Sequence, residues 1–156
     1  MDILEILDRE GLELAKNDKR IFAFVIDELI ISFLVFVALY DKISTLNNNT
    51  EQIIALMSSA LFYIIAVKIL YHSIFTALYG ASIGKILCKI KIVKLDTLDK
   101  PNIVESVLRS TLRVLAEFLF YIPFLFAFAN PFRQALHDMM IRTIVIDVSI
   151  PQNLQG

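Results

Sequence analysis

With one cysteine, two histidines and a net charge of −1, the chain has little of what several kinds of chemistry require. Cys88, being alone, excludes an internal disulfide, and with His72 and His137 it shows none of the spacings of a metal site. No basic patch is interleaved with aromatics, which argues against a nucleic-acid surface. Glycine is scarce, and the close pair Gly80 and Gly84 does not build a phosphate loop. Only three residues separate the two, and Ile86 follows Lys85 where Ser or Thr is needed. A secretory signal is not recognised either, because the apolar run after Lys19 and Arg20 exceeds the roughly 7–15 residues of a signal core and lacks a small-residue cleavage site. The expectation is an uncleaved anchor.

Apolar residues are what the chain has in excess. They make up 57% of its 156 residues, charged residues 20%, and the mean hydropathy is +0.68. An ordinary soluble domain is about 45–50% apolar, so one small membrane domain is expected.

The stretch KRIFAFVIDELIISFLVFVALY, Lys19 to Tyr40, predicts a first spanning helix over about Ile21 to Tyr40. About 20 residues at 1.5 Å each match the hydrocarbon thickness of a bilayer. Asp27 and Glu28 lie inside this run. On insertion scales a central acid costs roughly 2.5–3.5 kcal/mol while each Leu, Ile, Phe or Val returns only about 0.3–0.6, so the two acids must be protonated or partnered. A second run, Ile53 to Tyr79, carries Lys68 and His72 four residues apart on one face. Asp27 is about 10 Å above Arg20, and His72 about 10 Å from the end of its run at Tyr79, with Lys68 one turn deeper. Asp27 and Glu28 are therefore expected to face Lys68 and His72; the alternative is that Lys68 snorkels.

Lys16, Lys19 and Arg20 before the first helix, against Lys42 after it, place the N-terminus in the cytoplasm. Asp41 to Gln52 is then a short outer loop. It holds Asn47 to Asn49 and a sequon at Asn48, to which little weight attaches. Residues 1–18 read as an acidic amphipathic leader interrupted near Gly11, either touching protein or solvated, residues 19–148 as the membrane domain, and 149–156 as a tail.

Gly80 to Lys100 is a lysine-rich cytoplasmic loop in which Lys89 to Leu95 alternates as a short strand. Asn102 and Glu105 form a helix cap, and Arg109, Arg113 and Glu117 make a polar stripe on the helix that follows. The stripe lies at the cytoplasmic interface or faces the charges of the first two helices. Val114 to Phe128 is apolar and broken by Pro123. Thr143 to Val148 reads as a second strand whose mate is Lys89 to Leu95. The third hydrophobic segment is therefore expected to dip in and return. The predicted fold is an all-α membrane protein with two transmembrane helices, a Pro-broken and re-entrant third segment, and a small cytoplasmic hairpin-like strand pair.

Taken together, these residues resemble the RDD family of small bacterial membrane proteins, named for an Arg and two acids in the first helix. Arg20, Asp27 and Glu28 stand at those positions, the last with Glu for Asp. The family's Gly-x-Thr-x-Gly-Lys element resembles Gly80, Ser82, Gly84 and Lys85, with Ser for Thr, and its closing pattern resembles His137, Asp138, Thr143 and Val145, with Arg142 where a small residue is usual. The resemblance covers about Lys19 to Val148. It implies a multi-pass protein of the bacterial inner membrane and, for some members, monovalent cation/proton exchange with Na⁺ or K⁺.

Two functional readings stand beside each other. In one, the chain is a small accessory or structural subunit of a larger membrane complex, whose buried charge pairs set packing specificity. In the other, which the resemblance implies, a homo-oligomer exchanges a monovalent cation for a proton, with Asp27 as exchange site, Glu28 as helper, and Arg20 and Lys68 balancing the charge. No enzyme is expected. His137 and Asp138 are neighbours on a helix, about 100° apart, and Asp138 is expected to pair with Arg142 or to cap local backbone. No cofactor or metal is expected, and the partners are the bilayer together with another protein or further copies of the chain.

Overall fold

A computed structural model describes residues 3–46, 49–119 and 122–149. Two long helices dominate it: α2, Asn17–Ser44, and α3, Thr50–Tyr79, preceded by the short α1, Ile3–Arg9, and a two-residue strand β1, Glu13–Leu14. At 28 and 30 residues, α2 and α3 are about 42 and 45 Å long, enough to cross a bilayer. Both pass as candidate spans by length and hydropathy.

The buried side of α2 is a single four-residue repeat, Ala23, Asp27, Ile31, Val35 and Leu39. Ile31, Val35 and Leu39 pack with Tyr71 of α3, flanked by Leu56, Ala60, Ile64 and Val67. Outward, Phe22, Leu29, Phe33, Met57 and Phe62 are all exposed. So continuous an apolar exterior suits lipid and would be an aggregation surface in water. The sequon residue Asn48 and its neighbour Asn47 lie outside the described residues, as does the tail beyond Ser149.

At the end where α2 begins and α3 finishes, the chain folds into a compact cap. Gly80 ends α3 in the left-handed region (φ 72°) and its N–H bonds to the Thr76 carbonyl at 2.9 Å. A Cβ there would lie 2.9 Å from Lys91 Cε and 3.2 Å from the Ile92 carbonyl oxygen. The five-residue helix α4, Ile83–Leu87, leads into β2, Ile90–Lys94. Then come α5, Ile103–Phe118, with the expected Asn102/Glu105 capping box, α6, Ile122–Ala129, α7, Leu136–Met140, and β3, Thr143–Asp147.

The expected pairing of β2 with β3 is present, antiparallel, from Ile90 opposite Asp147 to Lys94 opposite Thr143. The sheet has three strands rather than two, in the order β1-β3-β2, because the end of the leader adds Glu13 and Leu14 opposite Asp147 and Ile146. The Ala15 N–H then bonds to the Val145 carbonyl at 2.9 Å. Every residue of β3 is buried. One face packs Ile90, Ile92, Val145 and Ala15 against Ala23 at the foot of α2; the other packs Val93, Ile144 and Ile146 against Leu7 of α1. The interruption near Gly11 is thus a turn that returns α1 over the sheet, and the leader's contact is with its own chain.

Helices α5 and α6 are separate. Pro123 is the second residue of α6, in the first turn, where a missing N–H costs nothing. The break therefore precedes Pro123. At about 24 and 12 Å, neither helix alone spans a hydrocarbon core.

Candidate functional site

The charged residues singled out in the sequence converge at the junction of α2, α3 and the cap. They form three linked groups.

The first is centred on Asp27, 1% exposed. Its Oδ1 accepts from the Tyr71 hydroxyl at 2.8 Å and the Gly84 N–H at 2.9 Å, and its Oδ2 accepts from the Ser82 hydroxyl at 2.5 Å. The Tyr71 hydroxyl accepts in turn from the Ile83 N–H at 3.2 Å. Ser82 is the N-cap residue of α4, yet its side chain makes no cap bond to that helix. Asp27 does so instead, reaching from α2 to satisfy an N–H of the first turn, where a carboxylate is favoured. Gly84 is obligatory for this approach: a Cβ there would strike the Ala23 carbonyl oxygen and stand 2.8 Å from Asp27 Oδ1.

The second group joins three helices through Lys68. Its ammonium lies 2.9 Å from Glu28 Oε2 of α2 and also pairs with Glu117 of α5. One turn along α5, Arg113 Nε is 3.8 Å from Glu117 Oε1, and Arg113 Nη1 is 3.4 Å from His72 Nδ1. A guanidinium only donates, so His72 accepts at Nδ1 and carries its proton on Nε2. The Arg113 guanidinium also stands 5.4 Å over the Phe24 ring. The pairs Lys68/Glu117 and His72/Arg113 are one antiparallel register of α3 on α5. The polar stripe of α5 therefore faces the first two helices.

The third group surrounds Asp138, whose side chain is fully buried. Arg20 Nη2 donates to Oδ2 at 2.6 Å, Arg109 Nε donates to Oδ1 at 3.0 Å with Nη2 also pairing there, and the Ala135 N–H bonds to Oδ2 at 3.3 Å. Arg20 further donates to the Arg133 carbonyl. Thr143 Oγ1 donates to the Asp138 carbonyl at 3.4 Å, and the Thr143 carbonyl accepts from Gln134 at 2.7 Å. Burial alone pushes the Asp138 carboxyl up, but Arg109, His137 and Arg20 outweigh it and hold it well below the ordinary carboxylate range. Burial brings His137 down to about 3 against the opposing pull of Asp138, with Arg109, Arg113 and Arg20 adding to the fall. His137 is thus neutral at neutral pH, and the two arginines do the work on Asp138.

Several expected pairings are corrected. Glu28 meets Lys68 as expected, but Asp27 meets neither Lys68 nor His72; one residue earlier, it points about 100° away and is met by Tyr71 and by the loop after α3. His72 faces Arg113 rather than an acid. Arg20 does not balance Asp27, because Asp138 holds it. Asp138 caps the Ala135 N–H but does not pair with Arg142, which lies 3.5 Å from Asp96 in an exposed contact. His137 Nε2 comes within 3.6 Å of Asp138 Oδ1, closer than neighbours on a helix were expected to stand. Sequence reasoning missed Tyr71, which reads as one more aromatic in an apolar run. It also missed the 2.6 Å pair of Lys19 with Asp147, where Lys19 had served only as an orientation signal.

A cavity of about 190 Å³ lies between the first and third groups. Arg20, Asp27, Lys85, Arg109, Arg113 and His137 line it, with Ile21, Phe24 and Phe128 among its apolar walls. Among the described residues no carboxylate stands within ion-pair distance of Lys85, which is 7% exposed. Burial drives its ammonium well down, Arg109 and Arg113 push the same way, and Asp27 and Asp138 oppose.

The three motifs thus fasten to one another: Asp27 to the Gly-x-Ser-x-Gly element, Arg20 to the His-Asp element, and Glu28 to the second helix. No curated protein and no solved structure matches the chain. The model of the RDD family matches residues 14–142, which takes in all three motifs up to Arg142, and the chain is a membrane protein that belongs to the RDD family.

Proposed function

We propose that the chain is a small accessory or structural subunit of a larger membrane complex, in the inner membrane of a bacterium with its N-terminus in the cytoplasm, whose buried charges hold its helices in a fixed arrangement. The observation that carries this reading is the saturation of Asp27. Its carboxylate accepts from three fixed donors on two other segments. Glu28 and Glu117 share one ammonium, and Asp138 takes two guanidinium groups. Such carboxylates act as rivets between segments, consistent with buried polar groups that specify packing.

Cation/proton exchange at Asp27 finds less support. A cation reaching Asp27 through the adjoining cavity passes Arg20, Lys85, Arg109 and Arg113. A site for Na⁺ or K⁺ favours oxygen ligands and excess negative charge. The outward apolar faces of α2 and α3 leave ample surface for lipid and for a partner subunit.

The test is purification of the tagged full chain in mild detergent, followed by identification of whatever accompanies it at fixed stoichiometry. A larger membrane protein at constant ratio is expected. A chain that emerges alone, as a monomer or homo-oligomer, under several detergents contradicts the subunit reading.

A further inference from the structure

The charged side chains at the junction, buried or half-buried, do not balance when Lys85 carries its proton: five cations, Arg20, Lys68, Lys85, Arg109 and Arg113, then face four carboxylates, Asp27, Glu28, Glu117 and Asp138. Lys68 serves Glu28 and Glu117, Asp138 serves Arg20 and Arg109, and Asp27 is taken by neutral donors. Arg113 has only its 3.8 Å contact with Glu117, which Lys68 already engages, and Lys85 has no carboxylate within ion-pair distance among the described residues, so the surplus positive charge falls at these two, both on the wall of the 190 Å³ cavity. Arg113 is 4% exposed, and its Nε and Nη2 are without hydrogen-bond partners among the described residues. Buried donors of this kind are costly to leave unmet. The cavity volume exceeds by more than tenfold the roughly 10–15 Å³ that one water needs.

We propose that this cavity is an oxyanion site in which Lys85 and Arg113, with Arg20 and Arg109 behind them, hold a phosphate group. Guanidinium and ammonium donors converging on a small cavity are the usual chemistry of phosphate recognition, here set between apolar walls. The mouth adds a second feature: Ile21 and Phe128 line the cavity and are 50% and 62% exposed, so an apolar rim borders the cationic interior. The site lies where α2, a candidate membrane span, begins, the end that a crossing helix sets near the lipid headgroups. A basic pocket between helices at that depth takes an anionic lipid headgroup, with acyl chains along the rim; a free phosphate offers the same group without the chains. This inference does not depend on the subunit reading, since either a lone chain or an assembled one carries the cavity.

The test uses the full-length chain, delipidated in a zwitterionic detergent, with binding read by native mass spectrometry and by thermal unfolding. Probes are phosphatidylglycerol, phosphatidylcholine and inorganic phosphate. Phosphatidylglycerol is expected to bind at one equivalent at least tenfold more tightly than phosphatidylcholine. Competition by millimolar inorganic phosphate, or binding of inorganic phosphate alone, identifies a soluble phosphate as sufficient, whereas phosphatidylglycerol binding without such competition identifies the lipid as the source; either supports the site. Lys85→Met is expected to weaken that binding at least tenfold and Lys85→Arg to retain it, while Lys42→Met, at the far end of α2, leaves it unchanged. If Lys85→Met does not fold, Arg113→Gln reads the same loss. Equal retention of the two lipids together with no phosphate binding by the native chain overturns the proposal, as does undiminished binding by folded Lys85→Met.

Discussion

Replacing Asp27 by Asn removes one charge while preserving shape, so it isolates what the carboxylate contributes. The asparagine carbonyl can still accept from Tyr71 and the Gly84 N–H, and the Ser82 hydroxyl can turn to accept from the amide. What is lost is the charge assistance on three short bonds of 2.5–2.9 Å. A hydrogen bond to a charged group contributes about 1.5–3 kcal/mol against about 0.5–1.5 for a neutral one, a difference near 1 kcal/mol each. Interhelical bonds measured in membranes run lower, averaging about 0.6 kcal/mol. The expected loss is therefore about 2–3 kcal/mol, and for a chain of this size each kcal/mol moves Tm by about 2–4 °C. Thermal unfolding in detergent, followed by far-ultraviolet circular dichroism, is expected to show a fall of about 4–12 °C for Asp27→Asn. A larger fall is expected for Asp27→Ala, which also strands the three donors. A Tm within about 1 °C of the native chain for both variants refutes the claim that Asp27 fastens α2 to α4.

Gly84→Ala places a methyl group into the Ala23 carbonyl and against Asp27; a cost of about 3 kcal/mol or more is expected, with little folded protein recovered, and normal yield and Tm contradict it. His137 stays neutral in the fold down to about pH 3, while an unfolded histidine takes a proton near pH 6.5. The unfolded chain therefore binds the extra proton in that window, and stability falls by up to about 1.4 kcal/mol per unit as pH drops from about 6.5 toward 3. Tm measured from pH 7 to 5 is expected to fall and to flatten in His137→Gln; an unchanged slope in the variant contradicts this. Asp138, held low, contributes stability that is present above about pH 4 and lost only below it. Arg142 adopts a left-handed backbone (φ 54°) just before β3, at an L-residue cost of about 1 kcal/mol, and its exposed pair with Asp96 contributes little. Arg142→Gly is expected to be neutral or stabilising by up to about 1 kcal/mol in thermal unfolding, and a clear loss contradicts it.

The sequence made the two long apolar helices legible because length and hydropathy are local properties, and the β2–β3 pair because a lone strand needs a mate. The Glu28–Lys68 contact was legible from helix rise alone. Asp27 was misassigned because depth was used without azimuth: two adjacent helix positions cannot both face one stripe of α3. The same omission hid Tyr71, which stands next to His72 at nearly the expected level but on the side of α3 that meets the loop. Strand β1 escaped because two residues carry no period, and only tertiary pairing with Asp147 and Ile146 defines them. The helix break fell before Pro123 rather than at it because proline begins helices as readily as it ends them.

Asp27 of α2 either ties the fold together or carries protons. Everted vesicles holding the native chain or folded Asp27→Asn, with pH followed by a dye while Na⁺ or K⁺ is added, separate the two. No cation-driven proton movement above that of empty membranes is expected from either, with Asp27→Asn differing only in its lower Tm. Robust exchange by the native chain that disappears in a folded Asp27→Asn of unchanged abundance contradicts it.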